Sequence, residues 1–379
     1  MAASGHALLS ASKAHQWLAC TPSARLEENL PDIVSDAAKE GTLAHAIVEE
    51  KLQRVLKGKA PGKASAKNAK NPLYTKAMED YTDEYVSFVL ELVEKAKETC
   101  SDPILLSEQK VDFSQWVPEG FGTTDTTIIA DGVLTVVDFK YGKGTEVRAE
   151  GNPQLRLYAL GAYDEYSMLY DINTVRMYIV QPRCGGVSMD EMSADDLLKW
   201  ADETVVPKAQ AAIKGEGREV VGDHCKFCKA KIICQARNAD MLEMLKYECR
   251  TPAILSTSEL VNILPKAEAL AEWAKAIKEW LQAKAVSGDT IPGYKLVEGR
   301  SVRQIKDADG FTNELLSKGY KPEDIFTLKG IGDLEDVLGK KVMEAYNGTF
   351  IIKPEGKPTL VPDSDPRPVF GDGKEMFND

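Results

Sequence analysis

"TTDTTIIADGVLTVVDFK", residues 123–140, is the stretch that decides the fold. Two apolar, β-branched runs, 123–130 and 133–139, flank Asp131-Gly132. Asp-Gly between such runs signals a hairpin, because both residues tolerate the positive φ of a tight turn. The two strands then lie side by side. One carries Asp125 and the other ends at Asp138, so the pairing brings two carboxylates toward one point. Strand alternation puts Lys140 on the same face as Asp138. "DFK" alone is an ordinary strand end. An acid inside a β-branched strand is less ordinary, since burying it without a partner costs free energy.

Outward from the hairpin, "ILLSEQKVDF" (104–113) and "TVRMYIVQP" (174–182) predict further strands. Helical spacing predicts helices over 36–52, 77–99, 153–170 and 193–214, the last with Ser193 as its N-cap. Gln154 and Tyr158 lie one helical turn apart and point the same way, as do His45 and Glu49. This order predicts an α/β fold, a mixed central sheet flanked by helices. Past about residue 250 the pattern becomes mainly helical, over 257–286 and in short pieces with glycine breaks over 308–347. There "LKGIGDLEDVLGKK" has the look of a helix-hairpin-helix, with Gly330 and Gly332 in the turn. The expected domains are 1–245 and 250–355, followed by an extended tail, 356–379.

A chain of 379 residues can hold two domains with proper cores. No apolar run reaches the roughly 18 residues of a membrane helix, and the first twenty residues lack the basic start of a signal peptide. The expectation is a cytoplasmic protein without a membrane span. A net charge of −12 argues against nonspecific nucleic-acid binding by the whole surface. Yet residues 51–78 hold seven lysines, one arginine and no acid. This loop is either a solvated, mobile face or an arm on which Lys57, Lys59, Lys63, Lys67 and Lys70 track phosphates.

Seven cysteines are present, and three fall in "CKFCKAKIIC" as Cys225-x2-Cys228-x5-Cys234. Two thiolates separated by two residues are a strong metal signal. The fourth ligand is either Cys20, far upstream, or the adjacent His224 in a three-Cys, one-His zinc site. Cys100, Cys184 and Cys249 read as isolated thiols.

The ordered set "GTLAH", "GTTD", "VVDFKYGKG" and "QLRLY" resembles the RecB-type branch of the PD-(D/E)XK nucleases. The resemblance spans roughly residues 15–240 and implies a restriction-endonuclease-like core. It implies His45, Asp125 and Asp138 as ligands of Mg²⁺ or Mn²⁺, Lys140 as the catalytic lysine, and Gln154 and Tyr158 as substrate-positioning or supporting groups. Glu108 would be an auxiliary acid without an assigned place. The cysteine pattern is similar to that of iron–sulfur nucleases of the AddB and CRISPR-associated type. By that likeness Cys20, Cys225, Cys228 and Cys234 hold a 4Fe–4S cluster that staples the domain's ends, with Zn²⁺ as the alternative. The opening "SASKAHQWLACTPSARLEENLPD" and the late "KPTLVPDSDPRP" resemble a phage and prophage family described only as a domain of unknown function. The implied activity is a metal-dependent DNA exonuclease acting on linear duplex or single strands, in phage recombination or repair within a bacterial host. Two rivals stand beside it. One is a stapled module that binds DNA or protein without cleaving. In the other, residues 250–379 do the work, docking a phage single-strand annealing protein or forming a homo-oligomer.

Overall fold

The computed structural model describes residues 7–31, 36–242, 257–297 and 305–352. At its centre is a five-stranded sheet in the order β1-β2-β3-β4-β5. The strands are β1 Ile104–Asp112, β2 Phe121–Ala130, β3 Gly132–Phe139, β4 Ile172–Gln181 and β5 Gly186–Ser193. The turn at Asp131-Gly132 forms as expected, with Gly132 at φ +83° and Ala130 opposite Val133. β3 and β4 are parallel, while the other neighbours run antiparallel. A parallel step needs a crossover, and the helix Pro153–Tyr166 lies in this one.

In chain order the helices before the sheet are α1 Ala14–Ala19, α2 Ser23–Glu27, α3 Asp36–Leu56, α4 Ala66–Ala69 and α5 Lys76–Lys97. The crossover helix is α6. After the sheet come α7 Ala194–Trp200 and α8 Val206–Lys214, joined by a π-helical turn at Ala201–Val205. The pleat divides β2 and β3 between two cores. Ile129, Leu134 and Val136 join α1, α6 and α8 on one face. Ile128, Val137 and Phe139 join α3 and α5 on the other. The protein is thus an α/β fold, a mixed sheet with helices on both faces.

α3 and α5 are tied by one buried cation. Lys51 has no exposed surface and lies 2.7 Å from both Glu79 and Asp83. Glu79 also holds the lysine-rich stretch, accepting from Ala64 N, while Glu50 accepts from Ser65 N. This corrects the expected loop: α3 continues to Leu56, α4 forms with Ser65 as N-cap, and two carboxylates pin the connection down.

Three further expectations change. β5 was absent from the predicted strands, because "GVSMDEMS" has few β-branched residues and no buried one; it is an edge strand defined by its pairing with β4. The helix expected over 193–214 starts on Ser193, whose Oγ accepts from Asp196 N, but widens into the π turn midway. The helix expected to residue 170 ends at Tyr166.

The rest is helical: α9 Gln235–Leu242, α10 Thr257–Val286, α11 Ala308–Ser317, α12 Pro322–Ile325, α13 Ile331–Leu338 and α14 Lys340–Glu344. Gly332 lies inside α13 rather than in a turn. The break falls at Gly339, φ +94°, so the expected placing of Gly330 and Gly332 is corrected. The expected domain boundary near 245–250, Cys249 and the tail 356–379 lie outside the described residues.

Candidate metal centre and cysteine segment

β2 and β3 pair only from Ala130↔Val133 up to Thr126↔Val137. Beyond that rung β2 continues against β1 alone and β3 against β4 alone. The sheet therefore forks, and Asp125 and Asp138 stand at the fork. Asp125 Oδ2 accepts from Phe139 N at 2.7 Å, replacing the ladder bond that the fork removes. Its Oδ1 lies 3.0 Å from His45 Nδ1. His45 is delivered by α3, whose stripe of Leu43, Ala44, Ile47, Val48 and Leu52 is buried in the α3–α5 core. Its ring rests on Phe139, centroids 5.4 Å apart. Beneath the fork Tyr85 Oη donates between Thr126 Oγ1, at 2.8 Å, and the Val137 carbonyl, at 3.2 Å.

Asp138 is only 3% exposed. Lys140 Nζ lies 3.0 Å from its Oδ2, so alternation has placed both side chains on the α6 face as expected. That contact is an ion pair rather than an aligned hydrogen bond, and Oδ2 has no other donor. Gln154 completes the arrangement. Its Nε2 donates to Asp138 Oδ1 at 3.3 Å and to Tyr158 Oη at 3.2 Å, and its Oε1 accepts from Lys140 Nζ at 3.3 Å. Asn152 fixes this end of α6 by accepting from Gln154 N, with Pro153 starting the helix. Gly122 lets β2 pass the Tyr158 ring, since a Cβ there would stand 2.6 Å from it.

Glu108 is the group sequence reasoning left unplaced. It lies in β1 opposite Asp125, with register kept on both sides, and its φ is +52°. A non-glycine residue there costs about 1–2 kcal/mol, so surrounding contacts must hold it. The result is that His45, Glu108 and Asp125 each bring one ligand atom within 4.8 Å of the others. Among the described residues this is the sole His, Cys, Asp and Glu group so close. The available signal was an acid inside "ILLSEQKVDF"; the backbone turn that aims it is tertiary.

The charges respond to this crowding. Burial and the Asp125 charge raise the Glu108 carboxyl to about 7. Burial also raises Asp138, with Lys140 opposing and Asp125 reinforcing. Burial disfavours the Lys140 and His45 cations, but the Asp138 and Asp125 charges outweigh it and raise both. Excess negative charge in a desolvated fork is what a divalent cation relieves. Hard ions such as Mg²⁺ prefer such oxygens. The donor set fits a cation.

The five predicted DNA-contacting lysines, Lys57, Lys59, Lys63, Lys67 and Lys70, are all exposed. They lie beyond the far end of α3, so Lys57 is about 18 Å along the axis from His45 at 1.5 Å per residue.

A second constellation joins the ends of the sheet domain. Cys20 caps α1; Cys225 lies in a single 3-10 turn, and Cys228 and Cys234 flank another. All four thiols are free. Burial raises Cys20, and the nearby Cys225 and Cys234 add to it. Burial, Glu27 and Cys225 push Cys228 up to about 12. Cys225 and Cys234 thus act on Cys20, and Cys225 on Cys228, but among the described residues no three of the four sulfurs lie within 4.8 Å of one another. His224 spends Nε2 on the Val220 carbonyl at 2.8 Å. Direct bonds already bridge this seam: Glu27 binds Lys13 and accepts from Lys229 N, Thr21 Oγ1 donates to Glu216 O, and Arg25 Nε donates to Ile213 O. Glu27 and Arg25 carried no sequence signal. Cys100 and Cys184 are free thiols too.

A mixed α/β protein with a His-Asp-Glu cluster at a strand fork is the class that fold and site define. The chain belongs to the family described as "Protein of unknown function (DUF2800)", whose model matches residues 6–368. It is also similar to a solved structure described as "Crystal structure of SSO0001". That likeness has 12% identity over 57% of this chain and 95% of that chain, with a TM-score of 0.24; it carries no argument about the site. Among the described residues no helix is long and apolar enough to cross a membrane.

Proposed function

We propose that the protein is a metal-dependent deoxyribonuclease of the PD-(D/E)XK type, RecB-like branch, acting as an exonuclease in phage recombination or repair. The observation that carries this is the fork itself. It bonds Asp125 to the Phe139 N–H beside Asp138, sets His45 on the first aspartate and Lys140 on the second, and ties Lys140 and Asp138 together through Gln154. His45 and Asp125, grouped with Glu108, and Asp138, which stands outside that group beside Lys140, would hold Mg²⁺ or Mn²⁺. A bound ion supplies Lewis acidity and charge for attack on a phosphodiester.

The chain's own residues do the rest. Lys140, kept charged by the two aspartates, offers Nζ to the attacking water and to the charge growing on phosphorus. Gln154 fixes both Asp138 and Lys140, and Tyr158 fixes Gln154. The sheet core below keeps the fork dry on one side.

The four cysteines are assigned to a 4Fe–4S cluster. A single tetrahedral Zn²⁺, with Zn–S near ~2.3 Å, would draw its sulfurs within about 4 Å of each other. A four-iron cube holds them at separate corners. Closing a loop of some two hundred residues restricts the unfolded chain. Anaerobic purification should yield a brown protein with four irons. A colourless protein with stoichiometric zinc would replace the cluster by the alternative.

The nuclease test uses end-labelled linear duplex and single-stranded DNA with Mg²⁺ or Mn²⁺, comparing wild type with Lys140→Ala. Metal-dependent cleavage lost in the variant is the expected result, and the labelled products give the polarity. No cleavage by the cluster-loaded wild type would move the assignment to a non-catalytic DNA- or protein-binding module.

A further inference from the structure

Past Lys140 the chain turns to the other face of the sheet. Tyr141 is 4% exposed and packs 6.3 Å, edge to face, from Tyr81 of α5. Arg183, just beyond β4, lies 4.5 Å over the Tyr141 ring and 6.0 Å from Tyr81, and pairs with Glu40 at 3.3 Å. β3 and β4 are parallel, so this cage sits at the same strand ends as the metal centre. An arginine against aromatic rings is a common structural contact. It is well suited to a nucleic-acid strand, whose phosphates take the guanidinium and whose bases stack on the rings.

The cage is covered. α13 and α14 lie on α5, with Glu335 accepting from Tyr81 Oη at 2.7 Å and Lys341 N donating to Asp80. Lys340 pairs with Glu84 and stands 5.0 Å over the Tyr81 ring. Asp336 is close enough to Tyr141 to help raise its hydroxyl to about 12, after burial and Glu40, with Arg183 opposing. Gly339 makes the approach possible, because a Cβ there would stand 3.0 Å from Asp80 Oδ2. The covering helix is acidic, with Asp333, Glu335 and Asp336 in eight residues.

The cover is also lightly held. Met343 is its buried apolar side chain, while Ile331, Val337, Leu338 and Val342 are exposed. Segments fixed by polar contacts with little apolar burial open at low free energy. We propose that α13–α14 is an acidic cap over a nucleic-acid subsite formed by Tyr81, Tyr141 and Arg183, and that a DNA strand displaces it. The proposal rests on the nuclease reading above. It adds a second contact zone on the α3–α5 face of the sheet, the face that also delivers His45, and a means of keeping that zone closed.

The experiment uses the full chain carrying Lys140→Ala, so that bound DNA is not cut. Glu335→Ala with Lys340→Glu removes the Tyr81 contact and sets like charges against Glu84. Hydrogen exchange over 331–344 reports release of the cap. Anisotropy of a labelled oligo-dT reports binding. Release should tighten binding about fivefold or more, the low end of ordinary coupling between sites. Adding Arg183→Ala to the released protein should cancel the gain. Equal or weaker binding after demonstrated release overturns the cap while leaving the nuclease assignment standing. No binding by either protein overturns both. A second arm, Asp80→Cys with Lys341→Cys, locks α14 to α5 by a disulfide. Oxidation should weaken binding and reductant restore it; a locked protein that binds like the reduced one sinks the idea.

Discussion

α6 and α10 are both helices, yet they live in different surroundings. α6 has 14 residues and buries seven of them between β1, β3 and β4. Gly161 brings it so close that a Cβ would stand 2.9 Å from Val111 and 3.0 Å from the Asp112 carbonyl. α10 has 30 residues and buries none; Leu260, Val261 and Leu264 are each roughly half exposed or more. The difference lies in what each helix can hold still. A side chain on α6 is aimed by a packed core, so Gln154 and Tyr158 can serve a site that needs fixed geometry. Among the described residues, α10 has no side chain held in a packed core. On the proposed reading, chemistry would belong to the sheet half, and the C-terminal helices are suited to reversible contacts.

The strongest way to break this comparison is Leu155→Ala. Leu155 has no exposed surface, and deleting a buried leucine side chain costs about 2–5 kcal/mol. Urea unfolding should show a loss of that size, with DNA cleavage falling in step. A loss under about 1 kcal/mol would mean that α6 is not the rigid support described.

Gln154→Ala comes next and separates support from site. The amide holds Asp138, Lys140 and Tyr158 at once, and small misplacements of reacting groups cost up to about 100-fold in rate. Cleavage should fall about 10- to 100-fold while the unfolding midpoint barely moves. A large stability loss at unchanged cleavage per folded molecule would make Gln154 structural only.

The fork was partly legible and partly not. Asp125, Asp138 and Lys140 could be read because a hairpin and period-two alternation fix their relations within twenty residues. Gln154 and Tyr158 could be paired by helical spacing, though their target could not be read. Glu108 could not be placed, because its left-handed φ follows from the splayed sheet rather than from neighbours in the chain. β5 escaped because an edge strand can be polar on both faces. The docking of α13 on α5 spans some 250 residues of sequence and rests on single polar contacts, which leave no periodic trace.

A smaller effect sits in the α3–α5 pair. Glu79 loses solvent on burial, yet Lys51, Tyr74 and Ala64 N hold its pKa below the ordinary value. A depressed carboxyl contributes stability above its unfolded pKa, near ~4.3, and loses it as pH falls through the lower folded value. The melting midpoint should hold from pH 7 to about 5 and drop below that. In Glu79→Gln the acid drop should be shallower, from a lower neutral starting point. An unchanged acid slope would remove Glu79 from the acid response.

The smallest expected effect tests the other half of the comparison. Leu264 on α10 is 46% exposed, and exposed substitutions away from special features usually change stability by less than about 0.5 kcal/mol. Leu264→Ala should leave urea unfolding of the sheet half unchanged. Leu260, Val261 and Leu264 form one short apolar run on a helix whose only charge in the first turn is Glu259. If the variant instead loses about 2 kcal/mol or more, as a buried leucine would, Leu264 is packed in solution more tightly than its exposure here. Repeating the measurement at tenfold lower protein concentration then decides the source. A midpoint that falls on dilution identifies a second copy, because dissociation shifts with concentration. A midpoint that stays put means α10 packs within its own chain, and the contrast with α6 fails.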